Sequence, residues 1–145
     1  MPGTSRLLWT ASRDWTDPLL MWNVLDECAA WARGQGATLV IVHGDAPGGD
    51  MFAKLYGQIT DGCEHEPHPA DWEGPCRDRC KAGHRRKDRR GREYCPAAGN
   101  YRNELMVGLG ADRGAAFIRA RSSGASNCAR LAEDAGIPVR RYTAP

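Results

Sequence analysis

Short apolar runs of strand length alternate with amphipathic stretches of helical period along this chain, and that alternation restricts its fold more than any other feature. The run Arg6-Leu7-Leu8-Trp9-Thr10-Ala11-Ser12 is bulky and apolar, as a buried strand requires. Asp17-Pro18 then opens a helix: the aspartate accepts from free N–H groups, and proline suits the first helical position, where no donor is needed. Leu20, Val24, Leu25, Cys28, Trp31 and Ala32 recur at three- and four-residue spacings, which gives that helix an apolar face, and Gly34 and Gly36 stop it. Thr38–His43 is the clearest strand, with four β-branched residues in six. After it, residues 44–50 form a glycine-rich loop and a helix runs through Met51, Phe52, Leu55 and Tyr56. A short third strand is expected near residues 64–68. From Asn100 a helix passes through Leu105, Met106 and Leu109, followed by a strand at Ala115-Ala116-Phe117-Ile118. Residues 122–126 cap a further helix that Gly136 ends, and residues 138–142 supply the last strand. Strands separated by helices make βαβ units, so the expected fold is α/β with three layers, α/β/α, around a central, mainly parallel sheet of about five strands.

One segment breaks the pattern. Residues 73–99 are polar, basic and cysteine-rich, with neither period, and they read as an insertion within a single domain of 145 residues. Residues 76–95 hold nine basic and three acidic side chains, a surplus of +6, which leaves eleven basic and fifteen acidic residues, or −4, for the rest of the chain. A mildly acidic body thus carries one strongly basic lobe. The same lobe spaces Cys76-x3-Cys80-x3-His84-x10-Cys95, three thiols and an imidazole, a donor set that suits structural zinc with all four positions closed. A polar segment cannot offset its own ordering entropy through a core, whereas metal binding supplies ~10 kcal/mol or more. Cys63, His65 and His68 lie upstream as alternative ligands or pocket residues, and Cys28 and Cys128 fall on apolar helix faces. The amino terminus, Met1-Pro2-Gly3-Thr4-Ser5-Arg6, has no signal-peptide character, and no apolar run approaches the ~20 residues of a membrane helix. We therefore expect a cytoplasmic protein without a membrane partner, in which six cysteines serve metal binding and the core rather than disulfides.

In such a sheet ligands bind outside the carboxyl ends of the strands, where strand order reverses. Residues 10–15, 44–50 and 120–126 belong to that edge, and all three segments are rich in glycine, serine and aspartate. Glycine lets a ligand approach the backbone, hydroxyls donate, and a following helix offers N–H groups and its positive dipole end, the chemistry of a phosphate or nucleotide cradle. Glycines and serines there also serve as plain turns and caps. No Gly-Lys-Ser/Thr follows any of these loops, and none is a Gly-x-Gly-x-x-Gly fingerprint, which disfavours the standard ATPases and dehydrogenases.

The motifs Thr10-Ala11-Ser12-Arg13-Asp14-Trp15-Thr16-Asp17, His43-Gly44-Asp45-Ala46-Pro47-Gly48-Gly49-Asp50, His68-Pro69-Ala70-Asp71-Trp72, Ala98-Gly99-Asn100-Tyr101-Arg102-Asn103-Glu104-Leu105-Met106-Val107 and Gly110-Ala111-Asp112 appear in that order. Ser123-Gly124-Ala125-Ser126 and Gly136-Ile137-Pro138-Val139 follow. Together they resemble the SLOG superfamily of Rossmann-like domains, in its YspA-like, cpYpsA-related branch. The resemblance spans nearly the whole chain outside the insertion. It implies a Rossmann-like sheet and binding of a nucleotide or nucleotide-derived ligand by Ser12, Arg13, Gly44, Gly48, Gly49, Asp50, Arg102, Asn103 and Gly124. From residue type, Arg102 and Arg13 suit phosphate oxygens, Asp50 or Asp45 suits ribose hydroxyls, and Ser123 and Ser126 add hydroxyls beside Gly124. The related LOG branch, which cleaves glycosidic bonds of nucleoside monophosphates, has Pro-Gly-Gly-x-Gly-Thr-x-x-Glu in its last loop. Here Ala125 replaces the threonine and Cys128 the glutamate, which removes the carboxylate such a reaction uses.

The expected function is therefore binding of a nucleotide or nucleotide-derived small molecule, as a sensor or sequestering domain. A nucleotide-processing hydrolase acting on a glycosidic or phosphate bond is one alternative. A nucleic-acid-binding module using the basic insertion, with Tyr94 and Trp72 to stack on bases, is another. A homo-oligomer is expected on fold analogy alone.

Overall fold

The computed structural model describes residues 3–120 and 122–145. Met1 and Pro2, part of the amino-terminal segment read above, and Arg121 lie outside the described residues. Strands β1 (Thr4–Ala11), β2 (Thr38–His43), β3 (Cys63–Pro67), β6 (Arg113–Arg119) and β7 (Val139–Ala144) form one sheet in the order β3-β2-β1-β6-β7. Every neighbouring pair is parallel. Helices α1 (Pro18–Gly34), α2 (Gly49–Ile59), α3 (Ala98–Leu109) and α4 (Ser123–Asp134) connect them, and β4 (Arg86–Lys87) pairs antiparallel with β5 (Glu93–Tyr94) inside the insertion.

A parallel sheet is covered on both faces, so successive side chains of a strand enter different cores. Leu7 and Trp9 of β1, with Leu39, Ile41 and Phe117, pack against α1 and α2. Leu8, Val40 and Val42 face the other way, onto Met106 of α3 and Cys128 of α4. Aromatic rings tie the sheet together: Trp9 and Phe117 lie 4.6 Å apart, and Tyr142 stacks on Phe117 at 4.8 Å. Asp17 caps α1, its Oδ1 accepting from Leu20 N–H at 3.1 Å, with Pro18 at the first position. The expected α/β layering is what the chain adopts, and the sheet is wholly rather than mainly parallel.

The insertion needs one correction. Residues 73–99 contain regular structure after all, the β4–β5 hairpin and the first turn of α3, which starts at Ala98 and not Asn100. Leu105 and Leu109 of α3 are half-exposed, and of the apolar residues Leu105, Met106 and Leu109 only Met106 is buried. The rotation of α3 is set by Asn103, whose Nδ2 donates to Gly124 O and Asn127 Oδ1 of α4. Met51 and Leu55 likewise lie outward on α2, because Asp50, Ala53, Tyr56 and Gly57 take the inner face. Among the described residues no helix is long and apolar enough to cross a membrane.

Candidate functional site

The chain runs outward from β1 through β2 to β3 and then returns to β6 on the other side of β1. Strand order therefore reverses between β1 and β6, and a cavity of about 820 Å³ opens there at the carboxyl ends of the strands. The loops after β1, β2 and β6 all reach it. Arg13, Gly44, Asp50, Arg102, Asn103, Ser123 and Gly124 line it, seven of the positions singled out from the sequence.

The other five named positions shape the walls from behind. Ser12 is buried, and its Oγ accepts from Arg119 N–H at 2.8 Å while its own N–H extends the β1–β6 ladder to Phe117 O. Gly48 sits at φ +93°, and a side chain there would run into the Arg13 carbonyl; a side chain at Gly49 would meet Ala11 and Met21. These two glycines let the first two loops touch. Asp45 turns away and accepts from Lys54 Nζ at 3.3 Å, and Ser126 N–H donates to Ser122 O in the first turn of α4. Asp45 and Ala120 are the non-glycine residues with positive φ among those described, at +53° and +52°. They end β2 and β6 beside the cavity, where such strained backbone tends to concentrate.

Asp50 is the most unusual group. It stands in the first turn of α2 but does not cap that helix. Its Oδ2 accepts instead from Gly44 N–H and Ala46 N–H, both at 3.2 Å, which pins the preceding loop. Its Oδ1 is buried with no hydrogen-bond partner among the described residues. Burial pushes this carboxyl up to about 6, against the two amides and the Arg102 charge, which pull it down. Arg102 is itself half-buried, and burial lowers its guanidinium from the ordinary value. Its Nη1 donates to Gly44 O at 2.5 Å and His68 O at 3.3 Å, and its Nε to Asn103 Oδ1 at 2.9 Å. Nη2 has no partner among the described residues and lies toward Gly99 on the cavity wall.

Beneath β2, His43 Nδ1 accepts the Asp45 N–H at 3.0 Å, so the ring proton resides on Nε2 and is donated to His65 Nδ1 at 3.0 Å. Burial and the second imidazole push His43 down to about 4 and keep it neutral. His65 and His68 are thus committed, the latter to Glu66 at 2.8 Å, and Cys63 lies in the core beside α2. Cys28 and Cys128 are buried as expected, and burial pushes the Cys128 thiol up to about 11, far from a nucleophile.

The buried acid Asp50 and the buried base His43 oppose each other with pH. An acid whose pKa is raised in the fold favours folding below its ordinary 3.8 and loses that contribution as pH rises through about 6. His43, depressed, favours the fold above 6.5 and loses that as pH falls toward 4. Asp50→Asn should therefore raise the thermal midpoint at pH 7.5, by about 2–3 kcal/mol of stability, and make no difference at pH 3.5. Calorimetric unfolding across that range checks this, and a gap that does not close on acidification contradicts it.

The second cluster lies in the insertion. Cys76 Sγ, Cys80 Sγ, His84 Nε2 and Cys95 Sγ fall within 4.8 Å of one another, so these four residues could hold a metal ion. His84 precedes β4 and Cys95 follows β5, so the hairpin brings them together. Its turn is held by Asp88, whose Oδ1 accepts from Arg90 N–H and Arg92 N–H at 2.8 and 2.9 Å. Zn–S bonds of about 2.3 Å in a tetrahedron put sulfurs about 3.8 Å apart. Cys80 and Cys95 are separated by 3.8 Å, and Cys95 Sγ stands 3.5 Å from His84 Nε2, while Cys76 and His84 are closer, at 2.9 Å. The cluster adjoins the cavity. Cys95 N–H donates to Trp72 O at 2.8 Å, Tyr101 hydroxyl meets Cys80 Sγ at 2.9 Å, and Trp72, Pro96, Gly99 and Asn100 form cavity wall.

Sequence reasoning did not include Arg119, Trp72 and Asn127 among the ligand residues, yet all three line the cavity. Arg119 ends β6, a position at the binding edge, and Asn127 falls one helical turn beyond Ser123. Both signals were present in the spacing.

Residues 5–74 match the model of YAcAr, the YspA, cpYpsA-related SLOG family. The chain is also 38% identical over 142 residues to the "Gene 61 protein" of Mycobacterium phage D29, an alignment covering 94% of this chain and 95% of that protein. No solved structure matches the chain. With its parallel sheet, its reversal of strand order and its glycine-rich second loop, the chain belongs to the YspA, cpYpsA-related SLOG family.

Proposed function

We propose that the cavity binds a nucleotide or nucleotide-derived small molecule, and that the protein acts as a sensor or sequestering domain. The observation that carries this reading is Asp50 Oδ1, a buried carboxylate oxygen without a partner among the described residues, at the wall of a cavity large enough for a mononucleotide. An orphan acceptor at this depth is offset by a ligand donor such as a ribose hydroxyl. Arg102 Nη2, Arg13 and Arg119 supply positive charge around the same space. Among the described residues no side chain caps the amino terminus of α4, so its first N–H groups can meet phosphate oxygens.

Titration calorimetry against a nucleotide panel, with mass spectrometry of whatever co-purifies, tests the proposal. Asp50→Asn and Arg102→Gln should each weaken the bound nucleotide by about tenfold to a hundredfold, the worth of a hydrogen bond to a charged group. Absence of any bound nucleotide overturns the reading. Because Asp50 can exchange a proton near neutral pH, nucleotide hydrolysis is a second reading. Chromatography of the bound ligand after incubation separates them: unchanged ligand favours a sensor, and product lost in Asp50→Asn favours an enzyme.

We further propose that Cys76, Cys80, His84 and Cys95 hold structural zinc. Three thiolates and one imidazole match its preference, and a full set of four leaves no open position for water.

A further inference from the structure

Beside the cavity, the hairpin presents cations that the rest of the lobe does not neutralise. Arg79 pairs with Glu104, Arg85 with Glu93, and Arg92 with Glu73 and Asp88. Arg86, Lys87, Arg89 and Arg90 are exposed and have no ion pair among the described residues. Directly opposed residues of an antiparallel pair project from the same face, so Arg86 and Tyr94 stand side by side. The Tyr94 ring meets Trp72 edge-on at 6.2 Å, and Trp72 is cavity wall. A line therefore leads out of the cavity over Trp72 and Tyr94 to Arg86, with Arg89 and Arg90 following in the hairpin turn, whereas Lys87 opposes Glu93 on the other face. Rings beside unpaired cations are the means by which single strands are held: bases stack, and phosphates meet arginines. A free mononucleotide has nothing to offer those three arginines.

We propose that the ligand is the terminal nucleotide of a single-stranded nucleic acid, whose following phosphates are gripped by Arg86, Arg89 and Arg90. This rests on the nucleotide reading of the cavity for its starting point, and the grip is separately measurable. Fluorescence anisotropy is read with single-stranded DNA and RNA octamers, the matching duplex and a mononucleotide, at several salt concentrations. The octamer should bind at least about tenfold tighter than the mononucleotide, with a log–log salt slope near −2 for three phosphates on a single strand. The variant R86A/R89A/R90A should lose that gain and flatten the slope, while its metal content and mononucleotide affinity stay unchanged. Comparison of the two octamers identifies the sugar. An octamer no tighter than the mononucleotide, a variant that binds the octamer as the parent does, or a duplex bound equally well overturns the proposal. An octamer held through the three arginines without mononucleotide binding supports the grip and removes the cavity reading.

Discussion

Removal of the metal should melt the insertion and strip the cavity of most of its ligand affinity. Each link in this expectation is local. The β4–β5 hairpin has two residues per strand and, among the described residues, no hydrophobic cluster of its own, so we expect its ordering to depend on the four donors at its base. A structural zinc site contributes on the order of 10 kcal/mol or more, which exceeds anything else available to this segment. The main sheet has its own cores on both faces and should survive. The cavity should not survive intact, because Cys95 N–H fixes Trp72 and the chain after Cys95 leads through Pro96 into α3, which carries Gly99 and Arg102. Purified protein is expected to contain one zinc per chain by elemental analysis. Chelation, or Cys95→Ser, should make residues 73–97 sensitive to protease and lower nucleotide affinity by at least about tenfold, with recovery on adding zinc after chelation. A chelated protein that keeps both protease resistance and affinity refutes the coupling.

How much of this was legible in the sequence depends on whether the signal was local. Thr38–His43 was bounded correctly because β-branched residues fill a strand buried on both faces, and Asp17-Pro18 marks a helix start through chemistry confined to three residues. The Cys76, Cys80, His84 and Cys95 cluster was legible for the same reason, all four falling within twenty residues. The rotation of α3 was not, because it is fixed by Asn103 reaching across to α4, and an apolar period of three or four cannot rank Leu105 against Met106. Nor could residue type separate the glycines and serines that face the cavity from those that hold its loops together. Ser12 and Gly124 look alike as loop residues, but one spends its hydroxyl on the β6 backbone and the other is open to the cavity.

That distinction between lining and bracing predicts opposite outcomes for two neighbouring glycines. Gly48→Ala should destabilise the whole domain. Its φ of +93° is a conformation L residues rarely adopt, and the added carbon would collide with the Arg13 carbonyl, which is backbone and cannot swing aside. Strain and overpacking together should cost about 4 kcal/mol and lower the thermal midpoint by on the order of 10 °C. Gly44→Ala meets only the Arg102 guanidinium, the far end of a flexible side chain. The domain should yield by moving that arginine, at less than about 1 kcal/mol of stability, while the hydrogen bond from Nη1 to Gly44 O is broken and the nucleotide affinity falls about tenfold or more. Thermal unfolding and nucleotide titration of both variants provide the check. If Gly44→Ala unfolds early while binding is retained, Arg102 is a structural strut and not a ligand residue; if Gly48→Ala is as stable as the parent, the first two loops do not meet as described.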